Sequence, residues 1–105
     1  MRSPEFQKKV AEFVKTHKLE ASVPYRMLDL VAEVGELAKE VLKSTHYGRQ
    51  SFRPSQSWRE ELGDVLFALV CLANSTDVDL EKALEQALSK YRKRLAQKGD
   101  AGSGR

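Results

Sequence analysis

The chain has 105 residues, of which 41% are hydrophobic and 31% charged, and its formal net charge at pH 7 is +3. These values are typical of one small globular domain and exclude a disordered chain. No apolar run reaches the roughly 18 residues needed to cross a membrane, and the opening segment MRSPEFQKK lacks the apolar core of a signal peptide, which predicts a cytoplasmic protein.

The first two predicted elements are amphipathic helices. Ser3 and Pro4 are typical of a helix start, and the first helix runs to about residue 18. Its apolar stripe consists of Phe6, Val10, Phe13 and His17. The second helix starts at residues 22–24 and reaches about residue 44. Its apolar stripe consists of Met27, Leu30, Val34, Leu37 and Val41.

Two more helices follow a long loop. Residues 44–57 contain five Ser or Thr, one Gly and one Pro, which predicts a loop. Residues 57–60 fit a capping box that opens the third helix. Asp79 is the predicted cap of the fourth helix. The stripe of that helix consists of Leu80, Leu84, Ala87, Leu88, Tyr91 and Leu95. We therefore predict an all-α four-helix bundle, with one domain over residues 1–98 and a flexible tail at 99–105.

The third predicted helix has an unusually long apolar run. Nine consecutive residues, from Val65 to Ala73, are apolar, so the helix has no polar face over that length. A helix that is apolar all round must be surrounded, and three short neighbouring helices can hardly surround it. The run therefore predicts association through this helix, most simply as a two-fold dimer.

Two carboxylate pairs, Glu33/Glu36 and Glu61/Asp64, lie on the second and third helices. Glu-x-x-Glu is also typical of a solvated helix face, so the first pair alone is weak evidence. Asp64 is stronger evidence, because it directly precedes the apolar run, where a charge without a partner is costly. Four oxygen donors on two helices predict a divalent cation site, and hard oxygen ligands favour Mg²⁺ or Mn²⁺.

Each carboxylate pair also contains a glycine. Gly35 and Gly63 directly precede the second acid of their pairs. A glycine inside a helix costs roughly 1 kcal/mol relative to alanine. Two glycines at equivalent places therefore predict the close approach of another helix or of a ligand.

The segments LVAEVGELAKEVL (30–42) and EELGDVLFALVCLA (60–73) resemble the MazG family of all-α nucleoside triphosphate pyrophosphohydrolases. The resemblance covers about residues 24–95 and includes the turn LANSTDVDLEKAL (72–84). It implies a dimer or dimer of dimers that uses Mg²⁺ to cleave a nucleoside triphosphate between its α and β phosphates. It also implies that the four carboxylates hold the metal and that Glu36 orients or deprotonates the attacking water.

Four further residues are candidates for substrate contacts. Relatives carry a Lys and an Asn on the last helix that are missing at the matching places here, so Lys90 and Arg94, one turn along, are the expected phosphate contacts. His17 lies near the place where relatives contact the base, and a structural histidine is the alternative. Asn74 is either a substrate contact or a helix-end residue that bonds to the local backbone.

A second interpretation is a non-catalytic helical dimerisation module or a nucleic-acid-binding module. Nucleic-acid binders gather their basic residues on one face, whereas here these residues are scattered over the first helix, the loop and the fourth helix. Nucleic acid and membrane are therefore not expected partners. The chain also lacks the Gly-x-x-x-x-Gly-Lys-Ser/Thr pattern of P-loop enzymes.

Overall fold

A computed structural model describes residues 4–98, which form four α-helices and no strand. The helices are α1 (Glu5–Thr16), α2 (Val23–Ser44), α3 (Gln56–Ser75) and α4 (Leu80–Lys98). This confirms the all-α, four-helix prediction. The predicted cap at Ser3 and the predicted flexible tail at 99–105 lie outside the described residues. None of the four helices, as far as they are described, is both long and apolar enough to span a membrane.

Side-chain caps define the starts of three helices. The hydroxyl of Ser22 accepts a hydrogen bond from the backbone N–H three residues later at 3.4 Å. The carboxylate of Asp79 accepts two such bonds, at 2.9 and 3.1 Å, as predicted. The predicted cap at Ser57 was wrong by two residues, because Ser55 has the extended backbone and its hydroxyl accepts the bond from the N–H three residues on at 3.3 Å.

The ends of α1, α2 and α3 share one backbone geometry. Lys18, His46 and Asp77 have positive φ values of 53°, 48° and 55°. In each case the N–H of the next residue donates to the carbonyl five residues back, at 2.9, 2.8 and 3.0 Å. This is the Schellman arrangement, which satisfies the last helical carbonyls and stops the helix within one residue.

The helices pack unequally. α2 lies along α3 over most of its length, α1 packs against α3 to a smaller extent, and α4 makes no comparable packing with the other three. The radius of gyration is 16.9 Å, against about 13 Å for a compact domain of this size. The protomer is therefore open, and much of its apolar surface is left uncovered.

The apolar stripe predicted for α2 was only partly right. Leu30 and Leu37 are half-buried, but Met27, Val34 and Val41 are exposed. The inward row of α2 contains these buried or half-buried residues: Arg26, Asp29, Leu30, Glu33, Leu37, Glu40 and Ser44. α2 thus turns a mixed row of charged and apolar residues toward the bundle, because rotation about its own axis is set by packing against α3 rather than by its stripe alone.

The apolar stripe predicted for α1 was also only partly right. Phe6 and Phe13 are exposed, whereas Gln7 is buried and Val10 and Val14 are half-buried. Gln7 is held by a hydrogen-bond network: its amide nitrogen donates to Asn74 Oδ1 at 3.0 Å, and its amide oxygen accepts from the backbone N–H at the start of α4 at 2.8 Å. One polar residue therefore ties α1 to the junction of α3 and α4.

Candidate metal centre

Three carboxylates converge where α2 faces α3. Glu33, Glu61 and Asp64 each place one oxygen within 4.8 Å of the oxygens of the other two. Glu33 lies on the inward row of α2, and the two acids of α3 lie three residues apart and so share one helix face. Glu33 and Glu61 are half-buried and Asp64 is exposed. The cluster is thus open to a ligand from solvent.

The electrostatics of the cluster are unfavourable without a cation. Desolvation raises the pKa of Glu33, and the charge of Asp64 raises it further. Desolvation also raises the pKa of Glu61, again followed by the charge of Asp64. Two ion pairs are found among residues 4–98, Lys39–Glu36 and Lys43–Glu40, each at 3.7 Å. Neither involves the three acids of the cluster, so no lysine or arginine in that range neutralises them. A divalent cation would relieve this repulsion.

Glu36 lies one turn beyond Glu33 and outside the group of three. Its carboxylate is 3.7 Å from Lys39 Nζ, and its side chain is about half exposed. Its charge nevertheless raises the pKa of Glu33 and of Glu61, which places it near the cluster. The structure therefore brings three of the four predicted metal ligands together and leaves the fourth at the edge.

The glycines next to these acids do not meet a neighbour. A Cβ atom built on Gly35 or Gly63 would have no atom of another residue within 4 Å, apart from the helix's own backbone and the adjoining residues. No other helix of the described part of the chain therefore approaches either glycine, and the alternative, close approach of a ligand, stays a prediction. The open space leaves both positions accessible beside the carboxylates.

Lys90 and Arg94, the predicted phosphate contacts, lie on the loosely packed α4. The nitrogen of Lys90 is 5.0 Å, and the guanidinium carbon of Arg94 is 5.8 Å, from the centre of the Tyr91 ring. His17 follows the last residue of α1, and its ring centre is 4.5 Å from that of Phe13. Among the described contacts, none joins these three residues to the carboxylate cluster.

Asn74 has a partner that neither prediction named. Its amide nitrogen donates to the backbone carbonyl of Gln7 at 3.0 Å, while its amide oxygen accepts from the Gln7 side chain. The partner lies 67 residues away, so bonding to the local backbone was wrong. Asn74 fastens α1 to the end of α3, and this contact holds both polar atoms of its side chain.

Arg26 is a buried cation that no sequence pattern predicted. This arginine is only 7% exposed, and its guanidinium donates to the carbonyl of Leu19. It lies close enough to the buried Cys71 for its charge to act on that thiol. One signal was available: Arg26 is seven residues before Glu33, so it shares the same row of α2. Nothing in the local sequence, however, shows that an arginine in the first turn will be buried.

Comparison with known proteins identifies relatives of this chain. The MazG nucleotide pyrophosphohydrolase domain matches residues 24–97. The uncharacterised protein YpjD of Bacillus subtilis is 45% identical over 71 residues, which cover 65% of this chain and 62% of YpjD. The dCTP pyrophosphatase 1 of Mus musculus is 40% identical over 72 residues, which cover 65% of this chain and 42% of the mouse protein. The chain therefore spans less than two thirds of the length of either relative.

Solved structures show the same architecture. The crystal structure of a Bacillus-conserved MazG protein, a nucleotide pyrophosphohydrolase, has a TM-score of 0.70 and 37% identity, and the match covers 87% of this chain and 93% of that one. The structure of YPJD from Bacillus subtilis has a TM-score of 0.72 and 38% identity, with coverage of 90% and 96%. Fold and sequence thus agree on one family.

Proposed function

Because this chain belongs to the MazG nucleotide pyrophosphohydrolase family, we propose that it hydrolyses a nucleoside triphosphate between the α and β phosphates. The products are a nucleoside monophosphate and pyrophosphate. The observation that carries the proposal is the convergence of Glu33, Glu61 and Asp64 within 4.8 Å. Phosphoryl transfer depends mainly on positioning and charge neutralisation, and a carboxylate cluster that holds a cation contributes to both.

Mg²⁺ or Mn²⁺ is the proposed cofactor. The donors are carboxylate oxygens, which suit hard divalent ions, and the raised pKa values of Glu33 and Glu61 record a repulsion that such an ion relieves. Glu33, Glu61 and Asp64 would hold it, and Glu36 would join them if its side chain turned away from Lys39. When bound, the ion polarises phosphate oxygens and lowers the pKa of a water molecule.

Glu36 is the proposed group that orients the attacking water and takes its proton. It lies one helical turn from Glu33, and its carboxylate is accessible to solvent. In the proposed step a bond forms between the water oxygen and a phosphorus atom, the α–β anhydride bond breaks, and its electron pair stays on the leaving phosphate. The proton of the water passes to Glu36. The contacts of His17, Lys90 and Arg94 with substrate remain predictions.

We further propose that two or more copies of the chain associate, as a dimer or a dimer of dimers. Leu66 in the apolar run of α3 is 51% exposed, and Leu84 in the apolar stripe of α4 is 59% exposed. The radius of gyration exceeds that of a compact domain. A second copy of the same chain is the simplest cover for these surfaces.

A substrate panel tests the activity. The full chain is incubated with Mg²⁺ and each common NTP and dNTP, and pyrophosphate release is measured. The panel includes dCTP, since the mouse relative is named for that nucleotide. We expect metal-dependent release from at least one substrate, and release from none of them would refute the proposed activity.

Variants then assign the residues. Asp64→Asn and Glu33→Gln should lower activity about 100-fold or more, by analogy with the loss of one group that stabilises a transition-state charge. Glu60→Gln is the matched control, because it removes the same charge beside Glu61 from a residue outside the cluster. Glu36→Gln should lower activity but keep most of the rise in melting temperature on adding Mg²⁺, which separates proton transfer from metal binding. If Asp64→Asn, Glu33→Gln and Glu36→Gln are all as active as the Glu60→Gln control, these roles are refuted.

A further inference from the structure

A cavity lies near the carboxylate cluster of α2 and α3. It has a volume of about 320 Å³ and opens between the end of α1, the start of α2 and the C-terminal half of α3. The residues that line it and matter here are Lys15, Glu20, Arg26, Cys71 and Asn74. The accessible surface of its wall is mostly apolar, with one buried cation, Arg26, and an exposed cation and an exposed acid, Lys15 and Glu20. This composition is typical of a site for a small ligand that carries a few polar groups.

The buried cation is Arg26. Of the five N–H donors of its guanidinium, the hydrogen bonds found among residues 4–98 use one, which goes to the carbonyl of Leu19. No carboxylate in that range lies within ion-pair distance of Arg26, including that of Glu20 on the same cavity. No nitrogen of Arg26 is both fully buried and without a hydrogen-bond partner, so the donors that Leu19 does not use remain accessible. Anchoring Leu19 explains one donor, and the others are available to a ligand in the cavity.

The cavity lies in register with the carboxylates. Arg26 and Glu33 are seven residues apart on α2, and Asp64 and Cys71 are seven residues apart on α3. Seven residues make two helical turns, or about 10 Å along each helix. Because α2 and α3 pack against one another, the cavity and the cluster lie at two levels of the α2–α3 cleft, about two helical turns apart.

We propose that this cavity receives the nucleobase of the substrate and that Arg26 reads two adjacent hydrogen-bond acceptors on its edge. This inference rests on the proposed function. Cytosine offers O2 and N3, and guanine offers O6 and N7, to the planar fork of an arginine. In both bases an N–H donor adjoins these acceptors, and the exposed carboxylate of Glu20 at the rim can accept from it. Adenine and thymine lack two adjacent acceptors on an open edge.

The test compares kcat/KM for dCTP, dGTP, dATP and dTTP. The wild type should prefer dCTP or dGTP. Arg26→Met should lower kcat/KM for the preferred base about 5- to 150-fold, which is the range expected from a bidentate contact of about 1–3 kcal/mol, with little change for dATP and dTTP. Arg26→Lys keeps the charge but not the fork, so it should lose most of the same preference while the protein stays folded.

Lys15→Met is the matched control. It removes a positive charge from the same cavity, but Lys15 is exposed and lies at the rim. It should change kcat/KM by the same factor for all four substrates. If Arg26→Lys also changes all four equally, or if the wild type shows no preference for dCTP or dGTP, Arg26 is only an anchor for Leu19 and the inference is wrong. Should Arg26→Met fail to fold, Arg26→Lys decides.

A binding measurement separates this inference from the proposed activity. If the wild type cleaves no substrate, titration calorimetry with dCMP, dGMP and dAMP still tests the cavity. Tighter binding of dCMP or dGMP than of dAMP, lost in Arg26→Lys, supports the base site even though the activity has failed. Equal binding of the three, or no binding, overturns it. Base-independent cleavage overturns the inference and leaves the proposed activity intact.

Discussion

The α2–α3 pair and α4 depart in opposite ways from the usual rule of apolar inside and charged outside. Where α2 meets α3, Glu33, Glu61 and Arg26 are half-buried or buried. On α4, the apolar Leu84 and Leu88 are exposed. Each departure costs free energy in the isolated protomer, from desolvated charge in the first region and from exposed apolar surface in the second. The proposals above relieve the first departure with ligands in the cleft and the second with a second copy of the chain on α4.

The two regions also differ in how they are held. The cleft is built on the extensive packing between α2 and α3, so it does not depend on α4. The start of α4 is held by the side chains of Gln7 and Asp79. We therefore expect changes on α4 to alter assembly and stability first, and changes in the cleft to alter ligand binding first. Four predictions follow this division, from the largest expected effect to the smallest.

The double variant Leu84→Asp/Leu88→Asp should abolish association. Covering one leucine contributes about 1.5–3 kcal/mol, so the two charges should cost about 3–6 kcal/mol per copy. The measurement is the solution mass by analytical ultracentrifugation, together with the melting temperature. Gln86→Asp adds a charge on the opposite face of α4 and should leave the mass unchanged. A double variant with the mass of the wild type would show that α4 is not an interface.

Gln7→Ala should loosen the attachment of α4. The change leaves the amide oxygen of Asn74 and the backbone N–H of Leu80 without their partner, while the bond from the Asn74 amide nitrogen to the backbone carbonyl of residue 7 is kept. Each group left unpaired costs about 1–3 kcal/mol when buried. Urea unfolding should show a loss of about 2–4 kcal/mol. Lys8→Ala, at the exposed neighbouring residue, should change stability far less. If the two variants are equally stable, the Gln7 network contributes nothing measurable.

Asp79→Ala should destabilise only the start of α4. Loss of an N-cap costs about 1 kcal/mol, which lowers the melting temperature by about 4–8 °C in a domain of this size. Asp79→Ser restores a capping oxygen, so most of the loss should be recovered. Equal melting temperatures for the Ala and Ser variants would show that capping is not the source of the effect.

Glu33→Gln should slightly stabilise the metal-free protein at neutral pH. The pKa of Glu33 is raised in the folded state, so its ionised form is penalised above that pKa and the penalty disappears as the pH falls through it. The gain in melting temperature should therefore shrink toward the ordinary glutamate pKa of 4.5.

With saturating Mg²⁺ the order should reverse, since only the wild type retains the full ligand set. Glu60→Gln should show a smaller gain without metal and no reversal with it, because the charge of Glu60 is the smallest contribution to the raised pKa of Glu61 and does not act on Glu33. A Glu33→Gln protein that is less stable than the wild type without metal would contradict the proposed repulsion.

Much of the fold could be predicted from local patterns. Ser22 and Asp79 cap the helices that they were expected to cap, because capping needs only a side-chain oxygen next to free backbone N–H groups. The cap of α3 was misplaced, because Ser55 and Ser57 have the same side chain and only the backbone distinguishes them. The prediction of which faces of α1 and α2 point inward was partly wrong, because both helices carry more apolar residues than one face can bury.

Part of the candidate site could also be predicted from local patterns along each helix. Helical periodicity alone puts Glu61 and Asp64 on one face, and Glu33 was expected near them. The structure brings these three together and leaves Glu36 beside Lys39. The partners of Asn74 and Arg26 could not be inferred, because both contact residues of other elements, and no local pattern records such a contact.

The sequence by itself therefore determined the four helices, most of their caps, the family motif and the rows of acids along α2 and α3, since these depend on neighbours within a few residues. Only the tertiary structure decided which row faces inward, that Arg26 is buried in a cavity, and that α4 presents its leucines to solvent. The physical reason is that periodicity relates side chains on one helix to each other. The rotation of each helix against its neighbour is set by packing between distant parts of the chain.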